Sequence, residues 1–296
     1  MLLNGKKLAF LGFGEAAGAF VGSMNIAELA AVSGFDIKSL ASDEQVRVAK
    51  QIDYQHFHVR ESLSPSDAFA DADFIISVVT ADQALTAATE AATHIKAGSY
   101  YFDCNSCSPN TKKKSAAIIA RQGGHYVDVA VMSPVYPLRH KTPLLLSGAN
   151  SEAGVEILTA LGLNPTVVAG DIGASSSIKM IRSVMVKGME ALTAECVLAG
   201  RLAGVDERVL ESLDLSYPGF DWKNKAAYNL ERMTLHGIRR AAEMQEVDLF
   251  LTELGFSDTM SSSTAKLQQK IGQLQLKNSE SSYQQMADMI LAKLLN

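Results

Sequence analysis

A strand, a glycine turn and an alanine-rich helix open this chain, and no other feature narrows its fold as much. Lys7 to Leu11 reads as a short buried strand and Glu15 to Val32 as a helix, with Gly12-Phe13-Gly14-Glu15-Ala16-Ala17 spanning the turn between them. Gly12 permits the tight turn and Gly14 lets the main chain come close to an anion. Ala17, with Gly18 behind it, keeps the helix near the strand. The N–H groups and dipole of the first helical turn then favour a pyrophosphate. Alone, such a pattern is weak; after a strand and at the head of an alternating series it points to dinucleotide binding. Phe13, Glu15 and Ala16 are cofactor candidates with the two glycines.

The series continues with apolar runs at Asp36 to Leu40, Phe74 to Val79, Tyr100 to Phe102, Tyr126 to Val131, Leu144 to Ser147 and Pro165 to Val168, several of them separated by helix-like segments. Parallel strands need crossovers, and helical crossovers predict an α/β Rossmann-type doubly wound sheet. Past Gly170 the strand signals stop. Ala174 to Leu202 carries Ile178, Ile181, Met185, Met189, Leu192 and Cys196 at helical spacing, which predicts a long interdomain helix leading into an all-α C-terminal domain. The expected domains are 1–170, binding NAD(P), and 171–296, helical, for substrate binding and dimerisation. Tyr217-Pro218-Gly219 interrupts the second, and helices are expected to start at Asp258 and at Ser281 or Ser282.

Bulk properties narrow the function. In 296 residues, 27 Lys and Arg face 32 Asp and Glu for a net charge of -5, evenly spread, which argues against a nucleic-acid groove and for a small-molecule substrate. The N-terminal stretch lacks the apolar run of a signal peptide or membrane span, so a cytoplasmic location is expected. The three cysteines are too few to staple a chain of this size. A small helical domain joined by an apolar helix should bury its surplus surface against a second copy, so a homodimer is expected.

The position that reads the adenosine ribose falls at Leu40-Ala41-Ser42-Asp43 in this reading. Ser42 can accept a 2'-phosphate and Asp43 discourages one, while either can instead cap the helix beginning near Glu44, so the cofactor is NADP or NAD. Val79 and Thr80, closing the Phe74 run, complete the candidate cofactor contacts on that side. Hydride transfer also needs a proton-moving group and a substrate grip. Four segments offer these: Asp103 to Pro109, Asp128 to Pro134, the turn Gly170-Asp171-Ile172-Gly173, and Lys179.

Together these segments resemble the β-hydroxyacid dehydrogenase family over nearly the whole chain, especially a branch resembling 6-phosphogluconate dehydrogenase with a shorter helical domain. Asp103-Cys104-Asn105-Ser106-Cys107-Ser108-Pro109 is similar to that family's Asp-x-Ser-Thr-x-x-Pro segment, which implies that Asn105 and Ser106 lie beside the nicotinamide. Asp128-Val129-Ala130-Val131-Met132-Ser133-Pro134 stands where the family reads Asp-Ala-Pro-Val-Ser-Gly-Gly, with Met132 as an apolar wall and Ser133 as a donor to substrate. Gly170 to Gly173 followed by Lys179 resembles the turn before the family's catalytic lysine, and Ser183 replaces the partner Asn four residues on. The resemblance thus implies Lys179 as general acid/base, with Ser183 binding a substrate hydroxyl or orienting it. Near a cationic nicotinamide a partly buried lysine has its pKa lowered, which suits that duty. Arg182 and Arg239 are candidates for gripping an acidic substrate, against ordinary solvation of Arg182, and of Arg239 and Arg240 together.

The implied activity is reversible hydride transfer between NAD(P) and a small β-hydroxyacid. An imine reductase of the same fold and a non-catalytic NAD(P) sensor are the alternatives, the first weakened by the presence of Lys179. Cys104 and Cys107 have the spacing of a redox or metal hairpin but no second pair, so no metal site is expected. His56 and His58 read as structural residues alternating on a strand, and Met286, Met289, Ile290 and Leu294 as a packing or dimer stripe.

Overall fold

The computed structural model describes residues 2–276 and 282–295. Two compact units emerge, residues 1–179 and 180–296. The division lies inside the long helix, further along the chain than the expected boundary at 170/171.

The first unit is a single eight-stranded sheet. Its strands are β1 (Lys7–Leu11), β2 (Ala31–Phe35), β3 (Arg60–Ser62), β4 (Phe74–Ser77), β5 (Tyr100–Asp103), β6 (His125–Val131), β7 (Pro143–Ser147) and β8 (Asn164–Val167), in the order β3-β2-β1-β4-β5-β6-β7-β8. All pair in parallel except β6 with β7. Helices α1 (Glu15–Val21), α2 (Glu44–His56), α3 (Pro65–Phe69), α4 (Ala84–Ala92), α5 (Pro109–Arg121) and α6 (Ser151–Ala160) supply the crossovers. Alternate residues of a strand face opposite sides, and the strands sort accordingly. Leu8, Phe10, Phe74, Ile76, Phe102, Val127 and Val129 join one apolar cluster with residues of α1 and α6. Ala9, Leu11, Ile75, Tyr101 and Tyr126 join the other with α3, α4 and α5. Both faces are therefore covered, which is the doubly wound arrangement that the alternating pattern predicts.

The strand before Ser42 is displaced from its expected place. The helix after the glycine turn ends at Val21, and Gly22 has its backbone N–H bonded back to Gly18. The chain then enters β2 at Ala31, so the run expected as a strand at 36–40 is instead a 3-10 turn, Ile37–Leu40, capped by the Asp36 carboxylate. His56 and His58 likewise do not alternate on a strand: His56 closes α2, and His58 takes a left-handed conformation with φ 53°.

The second unit is helical: the greater part of α7 (Ala174–Ala203), then α8 (Asp206–Ser216), α9 (Trp222–Glu253), α10 (Met260–Gly272) and α11 (Tyr283–Leu294). At 30 residues α7 is about 45 Å long. Tyr217-Pro218-Gly219 separates α8 from α9. Thr259 rather than Asp258 caps α10, and Ser282 opens α11 with a reciprocal capping box to Gln285; the alternative start at Ser281 lies outside the described residues. Met286 and Ile290 are buried in a core with Leu230, Met233 and Ile271, and Met289 and Leu294 pack against it. Of the two readings of that stripe, packing is the one realised. On α7, by contrast, Ile181, Met185 and Leu192 are 54%, 66% and 53% exposed.

Candidate active site

Gly12 leaves β1 at φ +83°, and a Cβ there would sit 2.9 Å from the Val78 carbonyl oxygen, so conformation and space both require glycine. A Cβ at Gly14 would meet nothing within 4 Å, so this side of the turn is open to a ligand. Glu15 is exposed, Ala16 half-buried, and Gly14 gives α1 no side-chain cap, which leaves first-turn N–H groups available. Phe13 is a scaffold residue. Its ring is buried and stacks on Tyr54 at 4.2 Å, and its carbonyl accepts from Lys50 Nζ at 2.5 Å. Its N–H donates to Asp36 Oδ2 at 2.7 Å.

Asp36 is the residue missed in the sequence reading. With β2 at Ala31–Phe35 it stands at the strand tip, about 20 residues beyond Gly14, where a dinucleotide fold places the acid that binds the ribose. Oδ1 accepts from the Lys38 N–H at 2.9 Å, and lone pairs remain on both oxygens. Ser42 is exposed beyond that tip; its carbonyl accepts from Arg47, and Asp43 caps α2 through the Gln45 N–H at 2.8 Å. For Asp43 capping is thus the observed role.

At the carboxyl end of the sheet, Asn105 staples two strands. Its Oδ1 accepts from the Val79 N–H at 2.7 Å and its Nδ2 donates to Ser77 Oγ at 2.9 Å. Val79 is half-buried and Thr80 exposed beside it. The next residue, Ser106, accepts from Lys179 Nζ at 2.6 Å. Two residues singled out separately are therefore bonded directly. Met132 and Ser133 are half-buried, and the Ser133 hydroxyl donates to the Pro134 carbonyl at 3.2 Å.

What aims Lys179 is a buried charge cluster under the start of α7. Asp128 accepts from the Gly173 N–H at 2.9 Å and from Ser176 Oγ at 2.6 Å, which ties the first turn of α7 to β6. Lys112 lies 3.4 Å from Asp128 Oδ1 and 2.9 Å from Asp103 Oδ1, and Tyr126 donates to Asp103 Oδ2 at 2.7 Å. The side chains of Lys112, Asp103 and Asp128 are 0% exposed. Burial alone would raise the Asp128 pKa, but Lys112, the Ser176 and Ser175 hydroxyls and the Gly173 N–H outweigh it and hold the carboxyl below its usual range. Burial opposes the Lys112 charge, yet Asp103, Cys107 and Asp128 raise its pKa above the ordinary lysine value. The two cysteines in the loop are buried and not disulfide-bonded, and burial pushes the Cys104 thiol up to about 12. No group of three or more His, Cys, Asp or Glu suited to a metal occurs among the described residues.

The second unit carries its own polar network. Ser183 Oγ accepts from Lys187 Nζ at 3.1 Å, Lys187 pairs with Glu243 Oε2 at 2.8 Å, and Arg239 holds Glu243 Oε1 at 2.7 Å. Two candidate residues, Ser183 and Arg239, are thereby linked through two that the sequence reading did not select. Arg240 does not solvate the helix: it is 7% exposed and donates to Glu190 Oε1 at 2.6 Å, while Gln268 holds Oε2 at 2.9 Å. Arg182 is exposed. Burial, then Arg232, Arg239 and Arg240, push the His236 imidazole down to about 4.

Residues 7–168 match the NAD binding domain of 6-phosphogluconate dehydrogenase, and residues 201–271 match a domain of unknown function, DUF1932. The chain belongs to the 6-phosphogluconate dehydrogenase NAD-binding family. It is similar to a conserved hypothetical protein from Sinorhizobium meliloti 1021, at 32% identity over 97% of this chain and 96% of that one, with TM-score 0.73. A 3-hydroxyisobutyrate dehydrogenase of Mycobacterium tuberculosis, solved with L-serine, shares the fold at 14% identity, TM-score 0.71, over 97% and 99% of the two chains. So does a reductive aminase of Aspergillus terreus solved with NADPH and ethyl levulinate, at 13% identity and TM-score 0.56 over 96% and 99%. The 6-phosphogluconate dehydrogenase-type domain here is an NAD(P)-binding domain in a 3-hydroxyacid dehydrogenase-like fold, so the family resemblance read from the sequence holds. No described helix is long and apolar enough to cross a membrane.

Proposed function

We propose that this protein is an NAD(P)-dependent dehydrogenase that interconverts a small β-hydroxyacid and its oxo form, with Lys179 as general acid/base. The observation that carries the reading is the 2.6 Å bond from Lys179 Nζ to Ser106 Oγ at the carboxyl end of the sheet, where doubly wound folds bind their ligands. The open side of Gly14 and the uncapped first turn of α1 fit a pyrophosphate, and the Val79–Asn105 staple shapes the wall beside them. Bound NAD(P) supplies the hydride acceptor or donor. In oxidation Lys179 takes the proton of the substrate hydroxyl; in reduction it returns one. Ser106 holds the ammonium in place, and Asp128 fixes the first turn of α7, just before the turn that carries Lys179. The proposed substrate-binding residues are Met132 and Ser133 in the first unit, and Ser183, Arg182 and Arg239 in the second.

Replacing Lys179 by Ala should lower kcat about 10²- to 10⁴-fold and leave NADH affinity, followed by fluorescence titration, nearly unchanged. Retained turnover removes the assignment. The substrate screen spans hydroxyacids, including phosphorylated and aromatic ones; cofactor binding without turnover on any of them would favour the non-catalytic sensor.

Of the two cofactors we infer NAD. The Asp36 carboxylate at the tip of β2 accepts ribose hydroxyls and repels a 2'-phosphate. Asp36→Ser should narrow the ratio of NAD to NADP affinity by at least tenfold, and a wild-type preference for NADP overturns the inference.

The exposed Ile181, Met185 and Leu192 support a homodimer formed through the helical unit.

A further inference from the structure

Hydroxyl groups along α7 do not behave alike. Ser177 Oγ donates to the Gly173 carbonyl at 2.7 Å and Thr193 Oγ1 to the Met189 carbonyl at 2.6 Å, each bonding back one helical turn. Ser183 Oγ instead accepts from the Lys187 ammonium at 3.1 Å. An ammonium has donors and no acceptor, so in this bond the serine oxygen can only accept. Its own O–H proton is left to point at another group.

The ammonium is held on its other side. Lys187 is 5% exposed and pairs with Glu243 Oε2 at 2.8 Å, and Glu243 Oε1 is held in turn by Arg239 Nη1 at 2.7 Å. A charged donor on the oxygen of a hydroxyl strengthens that hydroxyl as a donor. An Asn at this position would offer both a carbonyl and an amide, and would serve a donor or an acceptor on the substrate. Ser183 backed by Lys187 offers a polarised donor with a positive charge behind it.

We propose that Lys187 is a positioning residue that fixes Ser183 as a hydrogen-bond donor, so that this position selects the carboxylate of the substrate rather than its hydroxyl. The proposal rests on the hydroxyacid reading above. It leaves the proton of the reacting hydroxyl to Lys179 and assigns Ser183 to binding. A contact kept from ground state to transition state sets KM rather than kcat.

The test is a double-mutant cycle on the full-length enzyme with its best hydroxyacid from the screen. Ser183→Ala and Lys187→Met should each raise KM about 10- to 100-fold, as for a hydrogen bond to a charged group, with kcat changed less than threefold. The double variant should be no worse than either single one, and Lys187→Arg should restore most of the loss. Additive losses, or an unchanged KM in Lys187→Met with Ser183→Ala impaired, overturn the proposal. A fall in kcat and melting temperature together, without the KM effect, assigns Lys187 to folding alone and also overturns it.

A second measurement needs no substrate. The thiol introduced by Ser183→Cys, followed by its thiolate absorbance against the wild-type protein, should titrate at least one pH unit lower than the same thiol in Ser183→Cys/Lys187→Met. Equal titration in the two variants overturns the proposal whatever the substrate. Should the wild type oxidise no hydroxyacid, the reading of the reaction falls and the selection of a carboxylate falls with it. A thiol shift would then still establish the Lys187–Ser183 coupling, so the two failures are told apart.

Discussion

The sheet unit encloses one lysine between two aspartates without access to water, whereas the helical unit strings its charges along helix faces to an arginine whose side chain is 48% exposed. In the first cluster Lys112 serves Asp103 and Asp128 at once, and Asp128 spends its remaining acceptors on the first turn of α7. Nothing there can rearrange without stranding a charge. In the second, Lys187, Arg239, Arg240, Glu190 and Glu243 pair one to one or in sequence, and Gln268 offers Glu190 a neutral second partner. A fully buried cluster suits holding a backbone in place. A chain of pairs that ends at solvent suits tuning one hydroxyl at its inner end.

Lys112→Met breaks the comparison most sharply. It leaves two dry carboxylates without their cation, and removing one partner of a buried pair costs about 3–5 kcal/mol, read from urea unfolding at pH 7. The pH dependence should also reverse. In the wild type the Asp128 pKa is held low, so its contribution is present above the unfolded value and lost as pH falls through the folded one. Without Lys112, burial raises the folded pKa of Asp128, so the variant binds protons more readily than its unfolded chain and gains stability on acidification. A variant as stable as wild type at pH 7, or one with the wild-type acid limb, would show that water reaches this cluster.

Arg240→Met is the matching test in the helical unit. Glu190 would keep Gln268, so the cost should be smaller, roughly 2–3 kcal/mol. Equal losses in the two variants would erase the distinction between a closed cluster and an open chain.

These two clusters also mark how far the sequence could be read. The doubly wound order, the 30-residue α7 and the pairing partners Ser106 and Lys179 were legible because each carries a local signature: apolar runs, helical spacing, or a segment resembling a known family. Asp36 was missed for a local reason as well. The helix after the glycine turn was extended to Val32, which pushed β2 forward and moved its tip to Ser42. Gly22 and Ser23-Met24-Asn25 were the available stop signal. Lys187 and Glu243 are different. They lie on separate helices 56 positions apart, and helical periodicity says which residues share a face of one helix but not which face of another it meets. At Phe13 the sequence does not separate backbone from side chain: its ring packs on Tyr54 in the core, and its N–H donates to Asp36.

The smallest expected effect belongs to His236, and it sharpens the contrast in sign. The imidazole is pushed down to about 4 by burial and by Arg232, Arg239 and Arg240, so it is neutral in the fold where it would carry a proton in the unfolded chain. Between its ordinary value of about 6.5 and the folded one, the unfolded state therefore binds more protons, and stability declines as pH falls through that window. Asp128 loses its contribution only further into acid, so the two units should weaken in different pH ranges. His236→Gln keeps the size and polarity of the side chain and removes the titration. Melting temperatures measured from pH 7 to pH 4 should coincide at pH 7 and diverge as pH falls: the variant should change less across the window than the wild type. Parallel curves would mean that water screens the three arginines from this side chain, and that the charge chain of the helical unit is more open than its distances imply.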